Sequence, residues 1–165
     1  MTAPVAGRAV TVNMGELTVV SAHDRLFTIL GSCIGLVLFD PHRQVAGLAH
    51  IMLPETDDPA PKMPGKYANH AVPELMARLA AAGAARPALQ AKLAGGSAMF
   101  KLTNPNPGTL DIGARNAVAV RELLRAVRIP VLAEDVGGSR GRKLIFDPAT
   151  AQMTIEIIGS ASRVY

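Results

Sequence analysis

The sequence predicts an α+β chain, a layered α/β unit with a mainly antiparallel sheet flanked by two helices. Three observations carry that expectation. Residues 8–53 are short β-rich runs broken by turn residues, close enough in succession to pair as antiparallel neighbours. Two later segments carry the i, i+3, i+4, i+7 apolar stripe of amphipathic helices. Hydrophobic residues make up 49% of the 165 and charged residues 18%, enough to build one core, so residues 1–165 are expected to form one domain.

The elements follow in order. Arg8–Val12 and Leu17–Ser21 read as strands around the turn Asn13-Met14-Gly15-Glu16. Phe27–Leu30 runs into Gly31-Ser32-Cys33, and Ile34–Phe39 follows. Asp40-Pro41-His42-Arg43 is a turn in which proline presets φ. Val45–Leu53 is the next strand and carries His50. Residues 54–65, rich in Pro and Asp with no apolar period, form a long loop that reads equally as a lid or a connector. Lys66–Ala82 is helical through Val72, Leu75, Met76 and Leu79, with Pro73 disturbing the first turns so that the regular part starts there. Leu89–Leu93 is a strand entering Ala94-Gly95-Gly96-Ser97. A second helix covers about Asn116–Val127. Ile129–Ala133 is a strand broken by Glu134-Asp135-Val136-Gly137-Gly138, and Lys143–Phe146 and Met153–Ile158 make a hairpin-like pair. That is nine strands and two helices, with no repeats.

Composition narrows the function classes. A formal charge of +4, no Trp, two Tyr and four Phe give little basic or stacking surface for nucleic acid, and Ser139-Arg140-Gly141-Arg142-Lys143 is a short basic stretch that reads as a solvated turn. No run approaches the roughly 18 apolar residues of a membrane span, and residues 1–8 lack the layout of a signal peptide. A single cysteine makes no internal disulfide, which suits a reducing cytoplasm. His23, His42, His50 and His70 lack zinc-site spacing, and neither Gly95-Gly96 nor Gly137-Gly138 fits a phosphate loop. No metal or organic cofactor is therefore expected. Asp111 and the Glu134-Asp135 pair are carboxylates beside turns, which are more often solvated than general bases.

Cys33 is the remaining chemical group. It sits on a glycine-flanked turn between strands, and His50 lies near the end of a following strand. A thiol with a nearby imidazole is the minimum equipment of a cysteine nucleophile. A packed cysteine is the bland alternative, and spacing leaves both open.

Six blocks then occur in one order over about residues 16–158: Leu30-Gly31-Ser32-Cys33, Ala49-His50-Ile51-Met52-Leu53-Pro54, Gly65-Lys66-Tyr67-Ala68, Ala94-Gly95-Gly96-Ser97-Ala98-Met99-Phe100, Ile112-Gly113-Ala114-Arg115-Asn116 and Ala133-Glu134-Asp135-Val136-Gly137-Gly138. Together they resemble the chemoreceptor glutamine deamidases, the CheD family. The resemblance implies a layered fold related to the deamidating domain of cytotoxic necrotizing factor toxins. It implies hydrolysis of glutamine side-chain amides in methyl-accepting chemotaxis receptors, with Cys33 as nucleophile and His50 as base. A threonine shortly before the cysteine completes the family's site. Six residues before Cys33 is Phe27, and Thr28 lies five before, so Thr28 is the carry-over and a backbone carbonyl is the other group that could orient His50. Cys33 is expected as a thiolate, its pKa lowered by the His50 imidazolium and by turn N–H dipoles, with N–H groups around Gly31, Ser32 and Cys33 receiving the oxyanion. The alternative is a non-catalytic adaptor that binds receptors or a CheC-type phosphatase, a partner the resemblance also implies. A third reading is a cysteine hydrolase acting on another amide or ester.

Overall fold

A computed structural model of the chain describes residues 7–99 and 111–165. Residues 1–6, read above against a leader, and Phe100 of the fourth block lie outside the described residues. The expected α+β class holds, and its strands divide between two sheets. One has the order β1 (Ala9–Thr11), β3 (Arg25–Leu30), β8 (Arg142–Asp147), β9 (Gln152–Glu156), β10 (Arg163–Val164). The other has the order β2 (Leu17–Ser21), β5 (Val45–Ile51), β4 (Ile34–Asp40), β6 (Gln90–Gly95), β7 (Val131–Val136). Pairing is antiparallel except for β1 with β3 and β6 with β7.

Burial explains the layering. Every residue of β4 and β5 is buried, so their sheet is covered on both faces. The inner positions of β3 and β8 alternate with more exposed ones, the pattern of a sheet with one wet face. Between the sheets pack Leu26, Leu30, Leu144 and Phe146 from one side and Val37, Phe39, Leu48 and Ala94 from the other. Phe39 and Phe146 meet there with ring centroids 5.1 Å apart. The opposite face of the central sheet carries α1 (Ala68–Ala81) and α2 (Ile112–Ala126) through Leu36, Leu38 and Leu93 against Val72, Leu75, Val120 and Leu124. Each such side chain contributes about 1.5–3 kcal/mol by leaving water. The layer order is outer sheet, central sheet, helices.

Three boundaries differ from expectation. Helix α1 begins at Ala68 with Pro73 inside it; the proline supplies no N–H to the carbonyl four residues back but does not delay the helix. Helix α2 starts at Ile112 because Asp111 caps it, accepting from the Ala114 N–H at 2.9 Å. Asp111 is thus a cap, not a base. The expected break at Glu134-Asp135 is instead the second half of β7. Among the described residues no helix is long and apolar enough to cross a membrane.

Candidate active site

The site lies where the two sheets meet at one rim. On β3 the buried positions are Leu26, Thr28 and Leu30, while Phe27 faces the Lys143 side of the outer sheet. Period-two alternation therefore turns Thr28 inward and Phe27 away. Its hydroxyl lies 2.6 Å from the Val12 carbonyl oxygen and 2.8 Å from His50 Nδ1. Thr28 is the side chain that meets the histidine, and it is 1% exposed.

That pair of distances fixes the imidazole. Two oxygens 2.6 Å apart need a proton between them, and a carbonyl has none, so the Thr28 hydroxyl donates to Val12. Its oxygen then accepts from His50, whose proton sits on Nδ1. Nε2 is left as the unprotonated ring nitrogen, the form a general base requires.

His50 is opposite Gly35 across the β4–β5 pair. Gly35 is glycine for a packing reason, since a Cβ there would come within 2.9 Å of Leu30 and 3.0 Å of Leu144 side-chain carbons. Cys33, two residues before Gly35, is half-buried and packs against the same inter-sheet cluster. The thiol and the imidazole thus share one rim. Main-chain bonds hold His50 in place: its N–H donates to the Glu16 carbonyl at 2.9 Å, and its carbonyl accepts from Gly15 N–H at 3.0 Å.

The Gly31-Ser32-Cys33 turn is held by its carbonyls. Gly31 O accepts from Ser97 N–H at 3.0 Å, and Cys33 O from Gly96 N–H at 2.9 Å. Ser32 O accepts from Asn116 Nδ2 at 3.3 Å. Among the described residues, no acceptor engages the N–H of Gly31, Ser32 or Cys33. The close approach needs Gly95 at φ +106°, where a Cβ would stand 2.1 Å from Cys33 O.

Burial shifts both reacting groups. Burial pushes the Cys33 thiol above its ordinary value, and its own backbone N–H offsets only part of that. Burial likewise holds His50 below the ordinary imidazole value, against the Val12 carbonyl and the Glu16 carboxylate, which favour the charged form. Burial is the largest influence on both groups, raising the thiol and lowering the imidazole, so each is shifted toward its neutral form.

The other sequence candidates lie elsewhere. Glu134 pairs bidentately with Arg121 at 2.8 and 3.0 Å. Asp135 is buried against Arg142, Arg163 and Tyr165. His23 and His42 lie in strand-connecting turns and His70 in the first turn of α1. The loop after His50 is pinned to the third block, with Met52 and Leu53 N–H both donating to Lys66 O. Asn116, fully buried in a helix whose other buried residues are Gly113, Ala117, Val120 and Leu124, is the polar side chain the sequence does not single out; the one sequence signal is its place on the same helical face as Val120 and Leu124.

A family model described as CheD, chemotactic sensory transduction, matches residues 52–157, more than half of the chain. A Methanococcus vannielii protein called "Probable chemoreceptor glutamine deamidase CheD" is 43% identical over 144 residues, covering 87% of this chain and 92% of that one. A Clostridium botulinum (strain Hall) protein of the same name is 39% identical over 158 residues, covering 94% and 97%. The family model begins after His50, whereas the clostridial alignment leaves out too little of this chain to miss Thr28, Cys33 and His50.

Proposed function

The chain belongs to the CheD family of chemotactic sensory transduction proteins, and on that premise we propose that it is a chemoreceptor glutamine deamidase. In this reading residues 1–165 act as one deamidase domain in the cytoplasm, converting particular glutamines of methyl-accepting receptors to glutamate and ammonia. The relatives' printed name supports the reaction. The observation that carries the assignment to this chain is the Val12–Thr28–His50 relay beside Cys33, which leaves Nε2 free to take a proton.

The chemistry runs in two halves. As Cys33 Sγ attacks the glutamine side-chain carbonyl carbon, His50 Nε2 takes the thiol proton, so the costly separated charges form only during attack. The oxyanion is received by the Ser32 and Cys33 N–H groups, with Gly31 keeping the turn open; one such donor contributes on the order of 3 kcal/mol. His50 passes its proton to the leaving nitrogen, ammonia departs and a thioester remains. Water, deprotonated by His50, then cleaves the thioester to glutamate and restores the thiol. The CheC-type phosphatase enters as a second, binding partner.

Mass spectrometry of receptor cytoplasmic fragments after incubation with the protein tests this. Glutamine-to-glutamate conversion is expected for the native chain and its loss for Cys33→Ala. Equal deamidation by Cys33→Ala would remove the nucleophile assignment. Receptor fragments bound but left unmodified by the native protein would favour the adaptor reading.

A further inference from the structure

Helix α2 presses its first turn onto the segment that grips the nucleophile turn. A Cβ at Gly113 would stand 2.5 Å from Gly96 O and 2.7 Å from Ser97 O, and these two residues supply the N–H groups that bind Cys33 O and Gly31 O. One turn further along, Asn116 is fully buried. Its Nδ2 donates to Ser32 O at 3.3 Å and to Met52 O at 3.0 Å. Ser32 precedes the thiol and Met52 lies two residues beyond His50, so a single amide nitrogen ties the two reacting segments together.

The peptide geometry gives that tie a direction. In a planar trans peptide the carbonyl of one residue and the N–H of the next point opposite ways. Fixing Ser32 O against α2 therefore aims the Cys33 N–H away from the helix, and fixing Gly31 O against Ser97 does the same for the Ser32 N–H. Asn116 Oδ1 is buried and has no partner among the described residues. Among the described residues the side chain supplies donation alone, and its shape could be met by leucine.

We propose that Asn116 is a positioning residue that aims the Cys33 N–H at the oxyanion and keeps the nucleophile turn in register with the His50 strand. The proposal rests on the deamidase reading.

Asn116→Leu keeps the branching and removes the donor, and Asn116→Asp keeps the shape and donates only when protonated. Deamidation kcat is expected to fall about tenfold or more in both, with KM for a receptor fragment within about twofold. A receptor-derived peptide aldehyde, in which the glutamine amide is replaced by an aldehyde, adds Cys33 as a tetrahedral hemithioacetal: the S–C bond forms, His50 takes the thiol proton, and the former carbonyl oxygen carries the charge at the oxyanion position. It should bind Asn116→Leu about tenfold more weakly, while iodoacetamide alkylation of Cys33, which forms no oxyanion, changes by less than about twofold. Relative to the native protein at each pH, Asn116→Asp should regain rate as pH falls and its carboxyl becomes a donor. Leu124→Ala, on the same helix and remote from the site, controls for lost stability and should keep kcat. If either folded Asn116 variant keeps both kcat and aldehyde affinity within about twofold, or if alkylation and aldehyde binding fall together, the positioning role is wrong. If the native protein neither deamidates receptor fragments nor binds the aldehyde, the deamidase reading fails and this proposal with it.

Discussion

Thr28 has one hydroxyl proton, and giving it to Val12 decides where the proton of His50 resides. Thr28→Val preserves the branched shape while removing that acceptor, so Nδ1 is left without a partner and the tautomers mix. We expect kcat to fall on the order of a hundredfold with little change in receptor binding, measured by steady-state deamidation. The pH dependence follows from the two shifts. His50 sits below the usual imidazole value, so the base is free throughout neutral pH, and the acid limb of kcat/KM should have its midpoint under about 6.5. Protonation there also destabilises the fold. The unfolded chain binds the proton first, so the contribution of His50 is complete above about 6.5 and is lost as pH falls through its folded pKa. Burial raises the Cys33 thiol, so iodoacetamide labelling should climb only beyond about pH 8.5; labelling that saturates well below pH 8 would show a preformed thiolate–imidazolium pair instead. Cys33 and His50 could be singled out in the sequence through residue type and the order of the six blocks, since spacing alone left a packed cysteine equally open. The sequence left Thr28 and a backbone carbonyl as alternatives because that choice turns on which face of one strand is buried, a fact set by the partner sheet.

Single elements show where local chemistry suffices and where it does not. The β4–β5 hairpin was legible because Asp40-Pro41 announces its own turn, and Asp40 does more than begin it. Buried at 1% exposure, its Oδ1 accepts from His42 and Arg43 N–H at 3.0 and 3.1 Å and its Oδ2 from Ala85 N–H at 2.8 Å. Burial works to raise this carboxyl, but the three N–H donors together with the charge of His42 outweigh it and hold it below the ordinary range. Asp40→Asn keeps the shape but replaces an acceptor with a donor facing N–H groups, and should cost about 1–3 kcal/mol in denaturant unfolding. The sign in pH is definite. The native carboxyl contributes fully above the ordinary Asp value of about 3.9 and loses its contribution as pH falls through its lower folded pKa, so the gap between native and variant should narrow in acid. β7 is the opposite case. Glu134 and Asp135 look like a strand break because charged residues disfavour strands, yet one is neutralised by Arg121 and the other by Arg142. Both partners are distant in the chain or beyond a turn, and no local pattern announces them.

At the scale of the molecule, two sheets replace the one that the chain's pattern suggested, because alternation and full burial look alike until the covering layer is known. β4 and β5 were readable as strands, but their burial on both faces requires the outer sheet and the helices together. The outer sheet is fastened to the central one beyond its apolar core by a buried ionic tie. Arg142 on β8 donates to Asp135 Oδ1 and to the Asp135 carbonyl on β7, and to Ser97 Oγ at 3.0 Å. The other oxygen of Asp135 accepts from Arg163 at 3.1 Å and from the Tyr165 hydroxyl at 2.7 Å, docking β10. Since the Ser97 N–H holds Gly31 O, the same tie stands behind the Gly31-Ser32-Cys33 turn. Asp135→Asn leaves the Arg142 guanidinium buried without its counter-charge, which should cost about 3–5 kcal/mol. At about 2–4 °C per kcal/mol for a chain of this size, Tm should drop on the order of 10 °C by calorimetry. Tyr165→Phe removes one bond from the half-exposed end and should lose about 1 kcal/mol. If the tie supports the site, Asp135→Asn should also lower kcat at a temperature where it remains folded, and Tyr165→Phe should not. Equal Tm values for Asp135→Asn and the native protein would show that the core alone holds the sheets together.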